Sequence, residues 1–268
     1  MDLLEIYRQQ GEKAMVNALY ASGREDSRMA GRAGRMEFLT TMRTLQDYVK
    51  PGMKILDLGA GTGVYTLPLA DQGCAVDAVE LAEKNVELLR EKVKPGQEVR
   101  VFCGSAADLS GFPSDFYDVT LVFGPLYHLH EPEDRKQCLQ EALRVCKKDG
   151  ILLLAYISND MVPLTECLYR DFFAPDADHT YNHETFQLEN FPFVFLTLDA
   201  MRRELEENGV DILREIAADG VSELLAGTIN AMSEASYQEY LKYHFYCCEK
   251  PEMLGRSSHL LFVGRRKQ

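Results

Sequence analysis

The stretch from Lys54 to Ala70, K-I-L-D-L-G-A-G-T-G-V-Y-T-L-P-L-A, constrains this chain more than any other. An apolar run containing Asp57 is followed by Gly59, Gly61 and Gly63, and then by residues that can form a helix. A short buried strand running into closely spaced glycines and a helix is a turn that carries a nucleotide cofactor, because only glycine lets the backbone come so near a ligand. The spacing narrows the choice. A dinucleotide fingerprint places its last glycine three positions after the second, where this chain has Val64. It also usually lacks an acid two residues before the first glycine, where this chain has Asp57.

Strand and helix signals alternate downstream of this turn. Apolar runs at Met53 to Leu58, Cys74 to Val79, Val99 to Cys103, Val119 to Phe123 and Ile151 to Ile157 are separated by helix-length stretches. Nearly continuous apolar strands in such alternation predict a parallel sheet covered on both faces. Glu133 to Lys147 places Leu139, Leu143 and Cys146 at helical spacing and predicts a covering helix. Beyond the fifth strand the alternation breaks into a short helix and an aromatic-rich loop over 161–195, which includes Asp176, Asp178, His179, Tyr181 and His183. A capped helix over Asp199 to Asn208 stopped by Gly209, a sixth strand over Ile212 to Ala217, a helical stretch from Ser222 to Glu249 and a last strand over His259 to Arg266 complete the reading.

The alternating glycines behind Asp57 resemble the first motif of the class I S-adenosylmethionine-dependent methyltransferases, whose turn wraps the methionine end of the cofactor. Gly124-Pro125-Leu126-Tyr127-His128-Leu129 after the fourth strand looks like a subgroup of bacterial small-molecule methyltransferases. Neither the Asn/Asp-Pro-Pro-aromatic pattern of amine and amide methylation nor a Pro-Cys nucleophile stands there. The resemblance implies an α/β fold: a Rossmann-like seven-stranded sheet, mostly parallel with an antiparallel last strand, and helices on both faces. It implies one domain over 1–268, with an N-terminal helical cap at 1–50 and lid-like insertions at 158–197 and 221–258. Inserted segments above a constant sheet are where an acceptor is selected.

The same resemblance assigns the cofactor, S-adenosyl-L-methionine, to strand ends and the turns after them. Asp57, Gly59, Ala60, Gly61, Thr62 and Gly63 form the first turn. Glu80, followed by Leu81, takes both ribose hydroxyls, a task that suits an acceptor-only carboxylate. Ser105, Ala106 and Ala107 flank the adenine. Relatives have an Asp where this chain has Ser105, so the Ser105 hydroxyl, a backbone carbonyl or Asp108 is left to meet the amino group. Phe123, Gly124 and Leu126 close the fourth side. Tyr127 is a candidate to face the sulfonium with its ring, with plain packing as the competing role. His128, and after it His130, are candidate general bases, because histidine titrates near neutrality; a helix-capping role competes. Arginines recur at helical intervals at Arg24, Arg28, Arg32 and Arg35. Arg28 or Arg35 is a candidate for the cofactor carboxylate, against a solvated, salt-bridged face.

A formal net charge of −13 argues against large nucleic acids as partners, since their binding rests on phosphate neutralisation by Lys and Arg. The expected partner is a small-molecule acceptor, methylated at O, N or S, with no DNA and no membrane; a homodimer is left open. The alternatives are a tRNA or protein methyltransferase, a dinucleotide oxidoreductase, and a noncatalytic cofactor-binding protein. The first ten residues carry Asp2 and Glu5 without a long apolar core, and the longest near-continuous apolar run is Ile151 to Ile157, so the chain is expected to be cytoplasmic. Seven scattered cysteines read as reduced thiols. Cys247 and Cys248 with His244 one turn earlier leave a soft-metal site as the lesser alternative to buried thiols, and no metal is expected.

Overall fold

The computed structural model describes residues 2–22, 31–174 and 181–267. Its strands are β1 (Lys54–Leu58), β2 (Ala75–Glu80), β3 (Val99–Cys103), β4 (Tyr117–Val122), β5 (Cys146–Ser158), β6 (Phe195–Leu196), β7 (Val210–Ala217) and β8 (His259–Arg266). They form one sheet in the order β3-β2-β1-β4-β5-β8-β7, with the short β6 paired to the end of β5. Every pairing is parallel except those of β8, which runs antiparallel to both β5 and β7. The expected Rossmann-like α/β sheet is present, with eight strands rather than seven among the described residues. The extra strand is two residues long, too short to leave a period-2 pattern in the sequence.

The central strands read as nearly unbroken apolar runs because helices cover both faces. β3 lies at the edge and is correspondingly more exposed. Helices α1 (Leu3–Gln10), α2 (Glu12–Tyr20) and α3 (Met36–Leu45) precede the sheet. α4 (Thr66–Asp71), α5 (Glu83–Lys92), α6 (Pro125–His128) and α7 (Pro132–Val145) lie between its parallel strands. α8 (Val162–Glu166) and α9 (Leu198–Glu207) follow β5 and β6. The helical stretch expected from Ser222 to Glu249 is broken into α10 (Ala226–Ala231) and α11 (Glu234–Cys247), followed by α12 (Pro251–Leu254). The break falls where Ser233 caps α11 by accepting from the Ser236 amide.

Two tethers matter for what lies above the sheet. α2 docks on the start of α5: Met15 and Val16 pack on Ala82, Asn17 Oδ1 accepts from the Glu83 amide at 2.9 Å, and Lys13 pairs with Glu83 at 3.1 Å. The buried Arg135 donates to the carbonyls of Leu129 and His130, both at 3.0 Å, and to Glu204 at 2.9 Å. It thereby fixes the loop that carries the histidines to α7 and α9. No helix among the described residues is long and apolar enough to cross a membrane.

Candidate active site

β1 ends at Leu58 and the chain turns at once. The Gly59 and Ala60 amides donate to the Val79 carbonyl (2.9 and 3.2 Å), and the Phe123 amide to the Leu58 carbonyl (3.0 Å). The ends of β1, β2 and β4 are thus bound into one rim. Gly59 has φ +77°, and a Cβ there would stand 2.3 Å from the Phe123 carbonyl oxygen, so this glycine serves the fold. Gly61 has φ +55° and open space where its Cβ would be, and it lines a cavity.

That cavity encloses about 990 Å³, its open mouth included. It lies beyond the carboxyl ends of β1, β2 and β4, the place where an open α/β sheet binds its ligand. Gly59, Ala60, Gly61, Thr62, Glu80, Leu81, Ser105, Ala106, Phe123, Gly124, Tyr127 and His128 all line it. Asp57, Gly63, Ala107 and Leu126 stand behind the lining. Leu126 is wholly buried in the main core, and the Ala107 amide is turned onto the Ser105 hydroxyl at 3.2 Å. Asp108 faces away and takes the Ser110 amide, which leaves Ser105 and the backbone at the expected adenine position.

Glu80 is the anchor. Its carboxylate accepts from the Gly61 amide at 2.8 Å and from the Ala82 amide at 2.7 Å, with the Leu81 amide and the Asn85 side chain as further donors, which fixes the group at the cavity wall. Burial raises its pKa, and the backbone donors partly offset that. Asp57 is 1% exposed; Oδ2 accepts from the Thr66 hydroxyl at 2.6 Å, while Oδ1 has no hydrogen-bond partner among the described residues. Burial pushes Asp57 up to about 6.

The segment expected as an N-terminal cap supplies lining residues that the sequence did not single out. Glu12, Val16 and Tyr20 of α2 and Glu37 of α3 line the same cavity. Burial, with the charge of Asp134, pushes Glu12 up to about 7. Tyr20 reaches across the opening, and its hydroxyl shares a 2.8 Å hydrogen bond with His128 Nε2. Burial, with His130 nearby, pulls His128 down to about 4, so its ring is neutral at physiological pH. His130 does not line the cavity; its ring sits 4.9 Å from Tyr7 and 5.8 Å from Phe191.

Arg35 is not among the lining residues, and Arg32 is spent on Glu234 and the Met232 carbonyl. Arg24 and Arg28 lie outside the described residues, as do Asp176, Asp178 and His179. His244, Cys247 and Cys248 are committed within the chain: Nε2 to the Thr40 hydroxyl, and the two thiols to the carbonyls of His244 and Phe245.

The donor set fits the implied cofactor. The lining carries three carboxylates, Glu12, Glu37 and Glu80, and no Lys or Arg among the described residues, which suits a ligand bearing a sulfonium and an ammonium. Glu80 supplies a fixed acceptor for a pair of hydroxyls, and the space over Gly61 admits a ligand against the backbone.

Residues 56–154 match the family model described as methyltransferase domain. The demethylmenaquinone methyltransferase of Paenarthrobacter aurescens is 35% identical over 124 residues, 46% of this chain and 46% of its own. The chain therefore spans about half the length of the curated relatives it matches. Among solved structures, the CcbJ methyltransferase of Streptomyces caelestis aligns with a TM-score of 0.58 at 16% identity, covering 91% of this chain and 96% of its own. The 1,6-didemethyltoxoflavin-N1-methyltransferase of Burkholderia thailandensis, solved with bound 1,6-didemethyltoxoflavin and S-adenosylhomocysteine, aligns with a TM-score of 0.56 at 15% identity, covering 96% of this chain and 87% of its own. Residues 56–154 are thus similar to a methyltransferase domain, within a Rossmann-like sheet of the kind these solved methyltransferases share.

Proposed function

We propose that the chain transfers the methyl group of S-adenosylmethionine to O, N or S of a small-molecule acceptor. One observation carries this reading: the cofactor cavity adjoins a second cavity of about 1670 Å³, open mouth included, and Tyr20 and Tyr127 line both. The second cavity is walled largely by residues of 158–197, the segment expected to form a lid, among them Phe172, Phe191, Phe193 and Phe195 with the charged Glu166, Arg170 and Glu189, and it reaches Glu223, Ser258 and His259. The bound cofactor supplies an already activated methyl group on a sulfonium. What remains for the protein is to hold, align and dry the reactants, which contributes about 7 to 11 kcal/mol when reactants are well oriented.

In this reading Gly59 to Thr62, Glu80, Ser105 and Ala106 grip the nucleoside, with Asp57, Gly63, Ala107 and Leu126 supporting them from behind. α2 is the cap, fastened through Tyr20. Tyr127 stands at the boundary between the cavities with its ring toward the donor, and His128 holds the cap. The demethylmenaquinone relative bears on the domain more than on the acceptor, because the family match ends at residue 154, before most of the second cavity's wall. The excess of negative charge weighs against tRNA.

Thermal shift with S-adenosylmethionine, S-adenosylhomocysteine, NAD and NADP, followed by an acceptor screen for S-adenosylhomocysteine formation, tests the reading. Stabilisation by the first two and turnover of a small acceptor are expected. Stabilisation by NAD alone would refute it, and turnover only with tRNA or protein would reassign the acceptor.

A further inference from the structure

Glu12 opens α2, a nine-residue helix laid along the cofactor cavity, and Glu12, Val16 and Tyr20, one turn apart, all line it. Tyr20, at the far end, lines the second cavity too, so that end of the helix marks the side from which the methyl group leaves. Val16 packs with Ala82 and Leu81, next to Glu80 and the ribose position. Glu12 is not part of the second cavity and stands about 12 Å from Tyr20 along the axis, at about 1.5 Å per residue. Along α2 the order is thus methyl group at Tyr20, ribose at Val16 and base at Glu12.

The base has no acid on the side where the family pattern calls for one. Ser105 stands there, and Asp108 faces away onto the Ser110 amide. The turn that carries Ser105 is tied to α7, whose Glu141 accepts from the Leu109 amide at 3.0 Å. Asp134 and Cys138 share that face of α7, at helical spacing, and both interact with the charge of Glu12. Glu12 therefore meets the base from the cap, while the Ser105 turn meets it from the sheet. The other titratable groups at this end are Tyr7 of α1 and Glu131, and Lys13 is turned to Glu83 at 3.1 Å. No hydrogen bond from a described residue holds the Glu12 carboxyl, and burial with the charge of Asp134 pushes it up to about 7.

A carboxyl that keeps its proton accepts through one oxygen and donates through the other. Adenine offers the complement, an exocyclic amine that donates beside ring nitrogens that accept, and Asn and Gln read it by such a pair of bonds. An ionised carboxylate makes only the first of the two. We propose that Glu12 reads the adenine of the cofactor, its carbonyl oxygen accepting from the exocyclic amine and its hydroxyl donating to a ring nitrogen beside it. This proposal rests on the methyl-transfer reading, which supplies the nucleoside.

The test is calorimetry of S-adenosylhomocysteine with wild type, Glu12→Gln and Glu12→Leu. Glu12→Gln offers the same acceptor and donor and is expected to bind within about threefold of wild type, and Glu12→Leu about tenfold more weakly. Between about pH 7 and about pH 9 the wild-type affinity should fall by about tenfold or more as the hydroxyl is lost, while that of Glu12→Gln stays level. Analogues of S-adenosylhomocysteine with carbon in place of N1 or of N7 locate the second bond. Wild type should bind one of them about tenfold more weakly than the parent, and Glu12→Leu should bind that analogue and the parent alike. Equal affinity in a folded Glu12→Leu, Glu12→Gln as weak as Glu12→Leu, or a wild-type affinity that is level or rises with pH would overturn the proposal. Should Glu12→Leu fail to fold, the pH profile and the two analogues with wild type decide. Binding to wild type that neither pH nor the Glu12 variants alter overturns the role of Glu12 alone, whereas absence of S-adenosylhomocysteine binding to wild type overturns the methyl-transfer reading and this proposal with it.

Discussion

The Tyr20 hydroxyl and His128 Nε2, 108 positions apart in the chain, meet at 2.8 Å and close the N-terminal helices over the rim of the sheet. This bond joins α2 to the end of α6, next to the Leu129 and His130 carbonyls that Arg135 holds.

Tyr20→Phe removes the hydroxyl and leaves a buried ring nitrogen without that partner, at a cost of about 1 to 3 kcal/mol. Because α1 and α2 touch the body mainly through the Met15, Val16 and Ala82 cluster, the loss should appear as local opening. Amide hydrogen exchange over 12–20 should speed up by about tenfold or more while the sheet is unaffected. Unchanged protection there would mean that the bond does not hold the cap.

Arg135 is 5% exposed, and its partner Glu204 is half-buried and also accepts from the Tyr156 hydroxyl at 3.1 Å. Arg135→Met keeps the packing volume and strands the Glu204 carboxylate, which costs about 3 to 5 kcal/mol in a buried pair. Urea unfolding should show that loss, and the double variant Arg135→Met with Glu204→Gln should recover much of it. A loss below about 1 kcal/mol would place the pair among ordinary surface contacts.

Gly59 and Gly61 should separate folding from binding. Gly59→Ala drives a Cβ into the Phe123 carbonyl at a positive φ and should cost about 2 kcal/mol or more in stability. Gly61→Ala meets open space, so its cost is the backbone strain alone, about 1 kcal/mol, while S-adenosylhomocysteine affinity falls. Equal destabilisation by both, with binding spared in Gly61→Ala, would contradict the assignment.

Asp57 gives a pH dependence of known sign. Its folded pKa, about 6, lies above its ordinary value, so the folded state holds the proton more tightly than the unfolded chain. The stability linked to this group is therefore present below its unfolded value and is lost as pH rises through about 6, on the order of 3 kcal/mol in all. Asp57→Asn can still accept from the Thr66 hydroxyl and does not ionise. Relative to wild type, the variant without ligand should gain stability between about pH 4 and pH 7 in urea titrations. A wild-type-to-variant difference that is flat across that range would show that Asp57 is not strained by its charge.

The parts of the molecule that repeat a local pattern were legible before the structure. The five apolar runs from Met53 to Ile157 became β1 to β5, because strands covered on both faces leave a continuous apolar signature. The glycine turn placed Glu80 and the cavity floor for the same reason: a positive φ and a close approach need glycine at fixed spacing. What escaped is non-local. Within the cap expected at 1–50, nothing near Glu12, Val16 or Tyr20 singles them out, since their meaning lies in contact with distant residues. The Asp219, Ser257 and His259 cluster joins the ends of two antiparallel strands across an insertion, and no spacing rule brings such residues together. His128 drew notice as a histidine, but the burial that keeps it neutral is a property of the closed cap.

The most direct measurement is calorimetry of S-adenosylhomocysteine with wild type and with a folded Glu80→Ala variant. Removing charge-assisted hydrogen bonds to the two hydroxyls should cost about 1.5 to 3 kcal/mol, or about ten to a hundredfold in Kd. Binding to wild type with that loss in the variant is the result the account predicts. No binding to wild type, or equal affinity in the variant, would contradict it.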